Sequence, residues 1–97
     1  MAVHRMKLRS EPFLAIASGR KTVEMRLLDE KRRLICPGDM IVFADIGTGR
    51  ELTAEVESLH RFPSFRELYD YFPKSVLGYA EDEDASYTDM EQYYPPE

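Results

Sequence analysis

The stretch Gly19-Arg20-Lys21-Thr22-Val23-Glu24-Met25-Arg26 concentrates the side chains best suited to chemistry, since it brings cations and a carboxylate together at the junction of two local patterns. In extended chain, Glu24 and Arg26 share one face while Val23, Met25 and Leu27 take the other. Arg20 and Arg26 disfavour the protonated form of Lys21, and Glu24 opposes them. Such a group can grip an anion or move a proton. The same residues also describe an exposed strand face carrying an ion pair worth at most about 1 kcal/mol. The residues alone leave both readings open.

Other reactive side chains carry weaker signals. Cys36, His4 and His60 are scattered and none has metal-ligand spacing, so no zinc site is indicated. A single cysteine cannot form an internal disulfide, and Cys36 beside a turn reads as a small buried residue. The run Glu81-Asp82-Glu83-Asp84 lacks the alternating ligands and glycine of a calcium loop and reads as a solvated loop.

The elements that must position the cluster follow from periodicity. Residues 4–9 alternate polar and apolar, placing Met6 and Leu8 on one side of a strand. Ser10-Glu11-Pro12 supplies an N-cap, a first-turn acid and a tolerated proline. A helix then carries Phe13, Ile16 and Ala17 on one face and stops at Gly19. Lys21 to Leu27 reads as a second strand. Pro37-Gly38-Asp39 turns the chain, Met40 to Ile46 is a strand covered on both sides, and Gly47-Thr48-Gly49 joins it to a partner over Arg50 to His60. In that partner Leu52, Ala54 and Val56 point inward. Ser64-Phe65-Arg66-Glu67 is a capping box opening a helix with Phe65, Leu68, Tyr69 and Phe72 as its core stripe and Pro73 as its stop. Thr88-Asp89-Met90-Glu91 repeats the box and predicts one further helical turn ended by Pro95-Pro96.

Composition bounds the rest. At 97 residues, 43% hydrophobic and 32% charged, the chain fits one globular domain over residues 1–97. Its longest apolar runs, Phe13 to Ala17 and Met40 to Ala44, are far short of the roughly 20 residues that span a bilayer. With no apolar stretch of signal-peptide length after its basic start, a cytoplasmic protein without a membrane partner is the default. The net charge of −5 divides unevenly: residues 1–33 carry +5 and residues 34–97 carry −10. An acidic whole disfavours non-specific nucleic-acid binding but permits a local basic cleft.

The spacing Gly19-x-Lys21-x-x-Glu24-x-Arg26 resembles the GxKxxExR signature of the ASCH family, the domain named after an activating-signal cointegrator. Pro12-Phe13 with Ile16, Asp29-Glu30-Lys31-Arg32-Arg33, Pro37-Gly38-Asp39, Ser64-Phe65 and Tyr93-Tyr94-Pro95 add to the resemblance, which covers about residues 6–95. It implies an α+β fold similar to the PUA domain: a small, mostly antiparallel β-barrel flanked by two or three short helices, found in RNA-binding and RNA-modifying proteins. Family members usually add a last strand after the Tyr-Pro segment. Without it the barrel would be open, and its edge would invite self-association.

The resemblance implies a cleft at the barrel mouth that binds RNA, a nucleotide or a nucleoside, formed by Gly19, Arg20, Lys21, Glu24 and Arg26. Tyr79, Tyr93 and Tyr94 would stack on an unpaired base there. One branch resembles amidohydrolases of N4-acetylcytidine that use a lysine, a threonine and a distal glutamate. Lys21 matches, Glu24 stands at the threonine position, and Glu81 or Glu83 is the distal acid. Another branch resembles metal-assisted ribonucleases, and there Lys21, Glu24 and Arg26 all match. No cofactor is implied except a divalent metal in that branch. A third reading is a protein-interaction module in transcriptional regulation that uses the acidic C-terminal segment.

Overall fold

The structure, a computed structural model, describes residues 1–94. Strand β1 (Val3–Leu8) leads into helix α1 (Ser10–Ala17), and after an extended segment and a short 3₁₀ turn (Arg32–Leu34) the chain forms β2 (Met40–Asp45) and β3 (Glu51–Glu55). Helix α2 (Phe65–Tyr71) and a 3₁₀ helix (Tyr87–Gln92) complete the α+β arrangement. The three strands form one open sheet in the order β1-β2-β3, with β1 parallel and β3 antiparallel to β2. The described residues thus form an open sheet with one parallel and one antiparallel pairing, and a mostly antiparallel barrel is not seen among them.

Two apolar clusters hold these elements. Met6 and Leu8 of β1 and Phe43 of β2 meet Phe13 of α1 and Ile35, with Phe13 only 1% exposed. Met25, Leu77 and Met90 form the second cluster, covered by Phe65, Leu68, Tyr69 and Phe72 from α2. The predicted stripe of α2 is thus core. In α1, by contrast, Phe13 and Ala15 are buried, Ile16 packs half-buried on the first cluster, and Ala17 is exposed.

Two buried aspartates join the frame. Asp39 accepts hydrogen bonds from His4 Nε2 (2.8 Å) and from the N–H groups of Cys36 (3.0 Å) and Ala2 (3.1 Å), tying the turn before β2 to the start of β1. The His4 bond, followed by those two N–H groups, lowers the Asp39 pKa to about 2. Asp45 accepts from Ser10 Oγ (2.6 Å), the Gly47 N–H (2.8 Å) and Thr48 Oγ1 (2.9 Å), tying the hairpin to α1. The Ser10 hydroxyl is the largest cause of a lowered Asp45 pKa.

Several local expectations change. Ser10 does not cap α1: Arg9 occupies that position, and the Ser10 hydroxyl is committed to Asp45. Segment 21–27 keeps its alternation in part, with Met25 buried and Val23 packed beside it but Leu27 exposed, and among the described residues it pairs through a single bridge from Lys21 to Leu77. β3 ends at Glu55, so the chain to His60 extends without a ladder. Cys36 is exposed, because the Pro37-Gly38 turn carries it onto the surface. The last helical turn starts earlier than predicted: Ser86, not Thr88, is its cap and accepts from the Thr88 N–H. Pro95-Pro96 lie outside the described residues. Ser64 does cap α2 as expected, accepting from the Glu67 N–H at 3.2 Å.

Candidate functional site

Gly19 adopts φ +81°, a left-handed conformation that glycine takes without strain, and so ends α1 and turns the chain into the 20–26 segment. The Lys21 N–H then donates to the Ala15 carbonyl at 3.0 Å, and Thr22 and Val23 donate to the Val76 carbonyl. Lys21 is thereby fixed between α1 and the 76–78 turn. Its aliphatic stem lies on Gly78, where a Cβ would come within 3.2 Å of the Lys21 Cβ.

From this anchor three side chains converge. Lys21 Nζ is 2.8 Å from Glu24 Oε1, and Arg26 Nε donates to Glu24 Oε2 at 3.1 Å. Glu24 Oε1 also accepts from the Met25 N–H at 3.1 Å. The side chains are 9% (Lys21), 16% (Glu24) and 18% (Arg26) exposed, so this is a largely desolvated cluster and not a pair waving in water. Arg26 Nη2 additionally donates to the Lys7 carbonyl at 2.9 Å, which ties the cluster to β1. Two cations on one carboxylate leave one positive charge uncompensated within the triad.

The cluster forms part of the wall of a cleft of about 560 Å³. Arg20, Glu83, Tyr79 and Tyr93 also line it, whereas Gly19 stays out, acting as a helix stop. Arg20 lies at the rim, bonded through Nε to Ser18 Oγ at 3.1 Å. Glu83 accepts from the Ala80 N–H at 2.7 Å within the acidic loop, whose Glu81 and Glu83 carbonyls accept from Lys74 Nζ. Glu81 is not among the lining residues. Tyr94 lines the cleft too, stacked on Phe65 with ring centroids 5.7 Å apart.

Sequence reasoning missed four contributors. Lys7 and Arg9 enter from β1 and its end, and the Arg9 guanidinium sits 4.9 Å from the Tyr93 ring centroid, a cation–π contact. Tyr69 and Asp89 extend the wall as a chain: the Tyr69 and Tyr79 hydroxyls lie 3.0 Å apart, and the Tyr79 hydroxyl donates to Asp89 Oδ2 at 2.6 Å. Burial first, and then the hydrogen bond to Asp89, pushes the Tyr79 pKa well above its ordinary value; burial does the same for Tyr69. Both phenols therefore stay protonated as donors at neutral pH. Only the alternation of Lys7 and Arg9 with apolar neighbours hinted that they reach one side of the sheet.

Chemically, the cleft offers cations for an anionic group, hydroxyls and carboxylates for polar edges, and tyrosine rings. Among the described residues no three His, Cys, Asp or Glu side chains converge as metal ligands, and no helix is long and apolar enough to cross a membrane.

Comparison with known proteins places this geometry. No curated protein matches the chain. The crystal structure of hypothetical protein PH0355 is similar over 95% of this chain and 79% of its own, with 30% identity and a TM-score of 0.74. The family profile described as ASCH domain matches residues 6–97, which takes in the whole Lys21–Glu24–Arg26 cluster and every wall of the cleft. The chain belongs to the ASCH domain family.

Proposed function

We propose that the cleft binds a single-stranded RNA segment through one nucleotide unit. The observation that carries this reading is the Lys21–Glu24–Arg26 cluster, in which one carboxylate pre-orients two cations inside a cleft that also presents Tyr79 and Tyr93. Pre-oriented cations suit a phosphate or a base edge, and they lose little side-chain freedom on binding. Tyrosine rings suit an unpaired base. Membership of the ASCH family supports the same ligand class.

Hydrolase readings draw less support from the same residues. Both oxygens of Glu24 are already engaged, by Lys21 and Met25 on one side and Arg26 on the other, so proton abstraction would first require breaking these contacts. A metal-assisted ribonuclease needs hard oxygen ligands facing one point. The donor set does not fit: Glu24 is spent on cations, and no metal-ligating trio forms among the described residues.

Titration of a fluorescein-labelled single-stranded RNA oligonucleotide tests the binding reading. Lys21→Ala and Arg26→Ala should each weaken affinity at least tenfold and flatten its dependence on salt, since each loses a phosphate contact. Unchanged affinity in both variants would refute the reading.

A further inference from the structure

A second groove, of about 700 Å³, shares Lys21, Glu24, Met25 and Arg26 with the first cleft and runs on to other residues. Every residue from Lys21 to Leu28 borders it, and so does every residue from Ala54 to Phe65. Successive side chains in extended backbone point to opposite faces, so a groove bordered by unbroken runs opens along two backbone edges. Both edges are unpaired along part of their length. Among the described residues the N–H groups of Glu24, Arg26, Leu27 and Leu28 make no hydrogen bond, and neither do those of Glu57 to Phe62.

The register of β3 extends this edge. Asp45 donates to the Arg50 carbonyl and Val56 donates to the Asp39 carbonyl, both at 2.8 Å. Alternation along an antiparallel strand then turns the N–H and C=O groups of Thr53 and Glu55 away from β2. The opposite edge of the sheet is closed: Lys31 Nζ and Arg26 Nη2 donate to the Arg5 and Lys7 carbonyls of β1, each at 2.9 Å. One edge is covered by cations and the other is bare.

We propose that this groove accepts an extended peptide as an added β-strand, one whose residues alternate between apolar and basic. Its apolar side chains would meet the floor formed by Met25, Phe43, Leu68 and Phe72, and its backbone would pair with the β3 edge. Charge selects the other residues: of the cations that border the groove, Lys21 and Arg26 are paired with Glu24 and Arg32 with Asp29, which leaves Arg61 against two free carboxylates. Glu55 and Glu57 are exposed beside the groove and carry no ion pair among the described residues. A second copy of the chain is a poor occupant, because edge-to-edge pairing of two β3 strands would bring Glu51 and Glu55 of each against the other.

The test uses three labelled, end-blocked hexapeptides in fluorescence anisotropy: alternating Lys and Val, alternating Glu and Val, and alternating Lys and Pro. The Lys/Val peptide should bind at least tenfold more tightly than either of the others. Glu55→Pro removes an outward N–H and leaves the bonds to β2 intact, so it should stay folded by circular dichroism. It should weaken the Lys/Val peptide at least tenfold and leave RNA binding unchanged. Glu55→Lys should shift preference toward the Glu/Val peptide. Equal binding of all three peptides, an indifferent Glu55→Pro variant, or a dimer in gel filtration that Glu55→Pro dissolves would each overturn the proposal.

Discussion

Glu24 is the residue on which the cleft's charge arrangement turns. Replacing its carboxylate with an amide keeps the shape but leaves Lys21 and Arg26 facing each other without the charge between them. Glu24→Gln should therefore lower stability by about 2–3 kcal/mol, less than the roughly 3–5 of a fully buried broken pair because the amide still accepts one bond. Urea unfolding at low and high salt checks this, and added salt should recover part of the loss by screening the two cations. The triad was legible in the sequence because its members fall within six positions of one alternating segment. Asp89 was not: its bond to Tyr79 spans ten residues across a loop, and no period links them. His4 and Asp39 escaped notice for the same reason, meeting only because β1 and β2 are parallel neighbours.

At the scale of elements, Lys21 depends on the turn that follows α2. Gly78 has φ +99° and Gly19 has φ +81°, so alanine at either position costs roughly 1–2 kcal/mol of backbone strain. Only at Gly78 would the new methyl press on the Lys21 stem, since nothing lies within 4 Å at Gly19. Both variants should melt several degrees lower, but Gly78→Ala alone should weaken RNA binding in the oligonucleotide titration. Helix stops, the hairpin glycines and the stripe of α2 were readable because each is dictated by local chemistry. Segment 21–27 shows the boundary of such reading. Alternation reports which side chains face the core, and Val23 and Met25 do so, but strand pairing needs a neighbour within reach. The open sheet supplies none there, so the pattern of a strand appears without its ladder.

For the whole molecule, the aspartates that tie the frame together set its response to acid. The Asp39 pKa is depressed in the folded state to about 2, so its contribution is complete above the unfolded-state value and is lost as pH falls through about 2. Urea midpoints should therefore drop between about pH 4 and pH 2, and Asp39→Asn should reduce that slope. Asp45 and Asp29, also depressed, should keep part of it. Long-range contacts shape the molecule in a further way. Arg9 reaches Gln92 Oε1 at 3.0 Å and the Tyr93 ring at 4.9 Å, exposed contacts that join residues 83 and 84 positions apart. Two weak, exposed interactions that close so long a loop should open more readily than the sheet, which amide hydrogen exchange would show. On the RNA-binding proposal, that corner is where the cleft would open to its ligand while Phe13 and its neighbours stay packed.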